Sequence, residues 1–434
     1  QMCRKPNKSS RQTSLRLSRV QQLHNKAITP ILRRMKRTII LIGLFFAVAW
    51  QHQVWSQQVL NSTFGKGVHV VAADSSFSLR FNYRIQSLMQ SEFSSSTQGW
   101  DDVSSNWLIR RSRLKFSGFA YNPKLKYKIE LGLSNRDHGG ELPQTGNTSN
   151  LILDAFVSYN LFNNFEVWIG QTKLPGNRER VISSQKLQFV DRSLVNSRFN
   201  IDRDIGIQFR NKMEVGGVLT RQAFAISQGE GRNRTMGNDG GLEYTGRVEV
   251  LPMGGFTKKG DYYGSDLQRE ATPKLSLGVT YDYNDRAARE RGNLGSYVAD
   301  TAYSSLSTVL ADLMFKFKGL SVAAEYANKQ AVGERVSNED GSFVANYYTG
   351  HGTVVQAGYL LPSNLEISGR YTVIKPELAS ARQDQTMYTF GLSRYIVGHS
   401  LKIQSDVSYL VETDQQTAAS DGEYLVRFQV EVAF

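Results

Sequence analysis

The sequence predicts an all-β protein, a transmembrane antiparallel β-barrel of about sixteen strands, and three observations carry that reading. The chain ends on a strongly alternating apolar stretch, segments with the same alternation recur from residue 77 onward, and nothing after residue 56 is long or apolar enough to span a bilayer as a helix. In the final stretch Tyr424, Val426, Phe428, Val430, Val432 and Phe434 share one face, while Arg427, Gln429 and Glu431 share the other. A soluble sheet also alternates, so a last core strand of a β-sandwich stays open as a reading. Termini fray, however, and an apolar edge strand invites aggregation. A closed barrel pairs its last strand with its first and leaves no edge.

Composition agrees. With 434 residues at 40% hydrophobic content, the chain is long for a single soluble domain. The formal charge of +13 points to nucleic acid only until it is divided by position. Eleven of the 52 Lys and Arg lie in residues 1–56, which hold no Asp or Glu, so the remainder carries 41 basic against 39 acidic residues, a net +2. Nucleic acid is therefore not an expected partner. Residues 35–56 read as a secretory signal peptide: Lys36 and Arg37 form its basic segment, Thr38 to Trp50 its apolar one, and Val54 and Ser56 suit cleavage before Gln57. Residues 1–34, basic and without apolar periodicity, read as an N-terminal extension or upstream translation. Cys3, the only cysteine, lies there, so no disulfide is expected in the exported chain.

After a polar segment, 57–76, strands are expected near 77–89, 107–121, 126–134, 151–161, 165–173, 204–211, 219–228, 241–251, 273–284, 307–318, 319–329, 351–361, 364–374, 385–396, 399–410 and 423–434. The first sets Phe77, Leu79, Phe81, Tyr83 and Ile85 against Ser78, Arg80, Asn82, Arg84 and Gln86. Most strands run about 9–12 residues, the length a tilted strand needs to cross a bilayer. Short turns alternate with long polar segments near 90–106, 134–150, 174–203, 228–240, 285–306, 330–350, 375–384 and 411–422. With both termini in the periplasm, these eight become outer loops. The connection 252–272, Gly- and Tyr-rich, falls where a short periplasmic turn belongs.

Several motifs in order resemble the phosphate-selective porin O and P family of Bacteroidetes-type bacteria. They are Arg110-Arg-Ser-Arg-Leu-Lys-Phe-Ser-Gly118, Ile169-Gly-Gln-Thr-Lys-Leu-Pro175, Phe189-Val-Asp-Arg-Ser193, Arg203-Asp-Ile-Gly206, Thr272-Pro-Lys-Leu-Ser-Leu-Gly278 and Gly398-His-Ser-Leu-Lys402. The resemblance runs from about Asp74 to Phe434. It implies a barrel over 77–434, a homotrimer in the bacterial outer membrane, and a third loop, 174–203, folded inward to narrow a passive channel. The terminal strand, with Tyr424, Phe428 and Phe434, resembles the signal that the barrel-assembly machinery reads. Outer-membrane lipid and small anions such as phosphate are the other expected partners.

Alternation places Arg80, Arg84, Arg111, Arg113 and Lys115 on the lumen face of neighbouring strands. Facing like charges cost free energy unless an anion screens them or wall acids such as Glu130, Asp154, Asp312, Glu325 and Asp406 neutralise them, and both readings stand. The third loop adds Arg178, Arg180, Lys186, Arg192, Arg198 and Arg203. Its apolar Ile182, Leu187, Phe189, Val190, Leu194 and Phe199 suit docking inside the barrel mouth, although an outer flap with solvated charges fits the same composition. His69, His138, His351 and His399 stand apart without metal-ligand spacing, so no catalytic site, metal or cofactor is expected. The function expected is a passive, anion-preferring diffusion channel. The alternative is a structural or adhesion barrel with ligand-binding surface loops and a plugged lumen.

Overall fold

Alternating residues can pair only in extended neighbours, and the described residues form eighteen such strands. The structure, a computed structural model, describes residues 58–59, 63–95, 103–138, 150–235, 237–299, 302–333, 346–380 and 382–434. The expected extension 1–34 and signal peptide 35–56 lie outside the described residues. The strands are β1 (Gln58–Val59), β2 (Val68–Val71), β3 (Ser78–Ser95), β4 (Val103–Ala120), β5 (Asn122–Gly132), β6 (Ile152–Phe162), β7 (Phe165–Lys173), β8 (Arg203–Val215), β9 (Val218–Ser227), β10 (Glu243–Leu251), β11 (Lys274–Ala287), β12 (Ser304–Phe317), β13 (Leu320–Val332), β14 (Gly350–Leu360), β15 (Leu365–Pro376), β16 (Asp384–Val397), β17 (Leu401–Thr413) and β18 (Ser420–Ala433).

From β3 to β18 each strand pairs antiparallel with the next, and β18 returns to β3 from Gly422 opposite Ser95 to Ala433 opposite Arg84. That pairing closes a sixteen-stranded barrel. Beyond it, Phe434 and Tyr83 exchange both backbone hydrogen bonds, at 2.8 and 2.9 Å, and their rings meet edge to face at 5.6 Å. The start of β3 pairs instead with β2, Val68 opposite Phe81, so β2 carries on the seam where β18 stops.

The burial pattern inverts that of a soluble protein. On β11, Leu277, Val279 and Tyr281 are 42%, 56% and 53% exposed, while the intervening Ser276, Thr280 and Asp282 are buried. On β18, Val426 and Phe428 face outward, as does Phe434 just after it, and Arg427, Gln429 and Glu431 are buried inside. Water would penalise such an exterior at roughly 25 cal/mol per Å² of apolar surface, and hydrocarbon removes the penalty. The soluble-sandwich reading fails on this point.

Two expectations need correction. The long polar segment expected at 90–106 is mostly strand, because β3 runs to Ser95 and β4 begins at Val103. Its serines and amides look like loop chemistry, yet they pair across the ladder, as in Ser91 Oγ to Ser105 Oγ at 2.8 Å. The strict alternation expected on β4 also breaks. Gln86 pairs with Arg111 and Ser87 with Ile109, leaving Arg110 as the extra residue of a bulge, which brings two consecutive arginines to the lumen.

The connections 174–202 and 252–273 enter the barrel. Residues 174–202 carry α1 (Arg178–Val181) and α2 (Leu194–Phe199), the latter capped by the Ser193 hydroxyl on the Asn196 amide. Leu174, Val195, Phe199 and Ile201 pack on inward-pointing Leu310, Ala327, Val354 and Ile374, each fully buried aliphatic or aromatic chain contributing about 1.5–3 kcal/mol. The connection 252–273 folds inward as well, burying Phe256 against Ile182, Leu187, Leu219, Leu251 and Met314. Two glycines permit these approaches. A Cβ on Gly264 would lie 2.6 Å from the Gln188 amide nitrogen, and one on wall residue Gly391 would lie 3.0 Å from the Phe189 ring.

Removing Phe434, or replacing it with Ser, deletes the ring contact and outermost rung of the seam and should reduce the heat-modifiable, fast-migrating folded form on unboiled gels. Unchanged folded yield from both variants would contradict this role for the terminus.

Candidate pore and inner cavity

The third loop crosses the lumen because its backbone and charged groups find partners on opposite walls. On one side the Arg84 guanidinium donates to Ser184 Oγ at 2.6 Å, and Arg110 and Arg111 hold the Asp191 carboxylate at 2.8 and 2.6 Å. On the other, Gln188 Nε2 donates to Ser321 Oγ and Glu366 Oε1, both at 2.8 Å, the Val190 amide donates to Asp406 at 3.1 Å, and Asn177 Nδ2 donates to Glu325 at 3.0 Å. Arg178, fully buried, reaches Asp312 at 2.6 Å and Glu249 at 3.4 Å. Burial raises the Asp191 carboxyl, but Arg111 and Arg110 outweigh it and hold the group well below the ordinary aspartate range. Asp202, buried beside Arg180 and Arg203, is lowered in the same way.

The inner connection completes the filling. The Gly264 amide donates to the Lys186 carbonyl at 2.8 Å, and the Lys316 ammonium donates to the carbonyls of Gly260, Tyr263 and Ser265 at 2.6–2.9 Å. Asp261 joins Arg221, and Ser265 joins Tyr395 and Glu366. His399 is buried between the Tyr263 and Tyr395 rings. Through these contacts the β11–β18 side of the lumen is packed with protein.

Toward the short-turn end, the β3–β10 side holds a cavity of about 1150 Å³. Fifteen lysines and arginines line it against four carboxylates, Glu130, Asp154, Glu166 and Glu249. The arginines and lysines expected to face the pore separate here into two kinds. Arg84 pairs with Glu431 at 3.4 Å, Arg113 with Asp137 at 2.8 Å and Glu130 at 3.3 Å, Arg203 with Asp154 at 2.6 Å, and Arg180 with Asp202. Arg192 donates to the carbonyls of Glu179 and Ile182, and Arg198 to Gln385 at 3.1 Å, away from the cavity lining. Arg111 and Arg178 are used up as anchors. Arg80 and Lys115 line the cavity without an ion pair among the described residues.

Several groups that sequence reasoning passed over line the same space. Lys258 and Lys259, exposed and at left-handed φ of 50° and 58°, project from the inner connection, and Thr257 beside them donates to Glu270 at 2.7 and 2.9 Å. Lys173 donates to the Arg180 carbonyl at 2.6 Å, and Arg210 to the neutral Gln208 Oε1 at 2.7 Å. The signal that could have found Arg210 and Arg247 is the alternation of β8 and β10, which sets them opposite the outward Ile207 and Val248. Nothing local marked the inner connection as inward except Phe256 and its cluster of carboxylates.

A family model described as phosphate-selective porin O and P matches residues 82–434. A relative from Aquifex aeolicus (strain VF5), described as an uncharacterized protein, is 25% identical over 338 residues, covering 70% of this chain and 76% of its own. Among solved structures, the anion-selective porin from Comamonas acidovorans is similar with a TM-score of 0.52 at 13% identity, covering 82% of this chain and 100% of that one. The outer membrane channel DcaP of Acinetobacter baumannii is similar with a TM-score of 0.50 at 12% identity, covering 83% and 99%. At those identities the likeness concerns the fold.

Asp191→Ala leaves Arg110 and Arg111 without their carboxylate and should cost about 3–5 kcal/mol of loop anchoring. Trypsin should then nick 174–203 in the folded barrel at pH 7, where the parent resists. Because the folded carboxyl is lowered, the tether is complete above the ordinary aspartate range and is lost as pH falls below about 4. Open-pore current noise should therefore rise in the parent only on such acidification, and in the variant already at pH 7. A variant as quiet and protease-resistant as the parent would contradict the tether.

Proposed function

We propose that this chain, which belongs to the phosphate-selective porin O and P family, is a passive diffusion channel that prefers small anions of the phosphate type. It is an outer-membrane porin, and family and fold point to a channel rather than an enzyme. The observation that carries the anion preference is the inner cavity, fifteen cationic groups against four carboxylates in a chain that is only +2 after residue 56. Local charge outweighs net charge there. A unit charge about 7 Å from a permeant ion contributes roughly 1–2 kcal/mol at an effective dielectric of about 30. Several moderate sites of this kind concentrate anions and still release them.

We also propose that the channel works as a homotrimer joined next to the barrel seam. There the outward positions of β3 and β4 include Ser87, Ser91, Ser105 and Ser112, small polar groups where lipid contact would favour apolar ones. Small residues with hydroxyls let walls approach closely and hydrogen-bond across an interface within the membrane.

The extracted protein should have the mass of three chains, and its zero-current potential under a KCl gradient should show chloride preferred over potassium. Replacing Lys186, Lys258 and Lys259 together by neutral Gln or Ser should move that potential toward zero by several-fold in permeability ratio, less so in concentrated salt. A parent that prefers potassium, or variants that do not move, would overturn the anion channel, and a monomer in mild detergent would overturn the trimer.

A further inference from the structure

The same cavity carries aromatic faces as well as charge, arranged in pairs. Phe156 on β6 stacks on Trp168 on β7 with centroids 4.6 Å apart and planes 13° from parallel, and the Arg210 guanidinium on β8 lies 4.3 Å from the Trp168 centroid. The indole N–H is fixed on Glu166 at 2.9 Å, and Arg210 is held flat by two bonds to Gln208 at 2.7 and 3.1 Å. Across the lining, the Lys186 ammonium sits 3.8 Å from the Tyr263 centroid. Neither cation makes an ion pair among the described residues. A third pair, Arg221 over Tyr262, differs because Arg221 is already bound to Glu249 and Asp261.

A bare inorganic anion, strongly hydrated, gains from N–H donors and nothing from a stacked Phe and Trp. Aromatic faces reward a flat, apolar body, and a cation held over a ring is ready for a charged substituent at its edge. The lumen of a water-filled barrel has no need of exposed rings for its own stability, yet Phe156, Trp168 and Tyr263 all stay accessible to the cavity. We infer that this ledge, Phe156 and Trp168 ending on Arg210, is a binding site for planar organic anions, ring-bearing carboxylates above all, which pass through the channel by stacking on it. The inference rests on the anion-channel reading and narrows its substrate class.

The test compares two dianions of equal charge and similar length, terephthalate with its flat ring and trans-cyclohexane-1,4-dicarboxylate with its puckered one, as blockers of chloride current through the full-length pore in a bilayer. Terephthalate should half-block at a concentration at least about fivefold lower. In Trp168→Leu and Phe156→Leu, each first shown to be heat-modifiable, the two concentrations should fall within about twofold. In parallel, terephthalate titrated into the parent should quench tryptophan fluorescence over the concentration range in which it blocks. Equal blocking by the two dianions in an anion-preferring parent, or a preference retained in both variants, overturns the ledge and leaves the channel reading intact. A parent that prefers potassium removes both.

Discussion

A backbone that crosses hydrocarbon must satisfy every N–H and C=O within itself, and here that requirement converges on one seam, β18 against β3. Once the seam closes, the two faces of every strand acquire opposite solvents. Val279 and Tyr281 can face lipid only because Thr280 and Asp282 face inward. The interior is then a polar space enclosed by protein, and any charge in it must pair, bind a carbonyl or meet water. The inward connections, the anchors and the cavity all follow from that obligation.

The acids and bases of the lumen are not shared evenly. Asp312, Glu325, Glu366 and Asp406 on the β12–β17 wall, with Asp191 and Asp261 on the inward segments, hold the third loop and the inner connection in place. Their negative charge is spent on the guanidinium groups, amides and hydroxyls that join the filling to the wall. Across the barrel the cavity keeps its lysines and arginines with few carboxylates. The cationic lining is thus a consequence of how the other half is packed, which explains how a chain of net +2 after residue 56 holds a strongly cationic space.

The barrel was legible because alternation is local: each strand reports its own two faces, and turn residues mark its ends. The ends themselves misled where Ser94 and Ser95, loop-like in composition, were drawn into the ladder by their neighbours. Charge pairing was not legible, since Arg84 meets Glu431 at a separation of 347 residues and Arg178 meets Asp312 at 134. No period reports such contacts. Arg110 escaped for a different reason, because a bulge cancels the alternation on which its outward placement relied. The inner connection stands out in the sequence only as a long Gly- and Tyr-rich segment where a short turn belongs, and its lysines take their place in the cavity from the burial of Phe256 and Glu270 beside them.

On the proposed reading, the field inside the cavity, not the net charge of the chain, selects the permeant. Ser117 lines that cavity and is neutral, and Cys3 is the only native cysteine, so Ser117→Cys places one reporting thiol in the barrel. The measurement is its rate of modification by a sulfonate-bearing and a trimethylammonium-bearing methanethiosulfonate of similar size, in low salt and in 1 M salt. A field from several unpaired cations should make the anionic reagent faster by about tenfold in low salt, with the ratio falling toward one as screening shortens to about 3 Å. Equal rates in low salt, or a faster cationic reagent, would contradict the account.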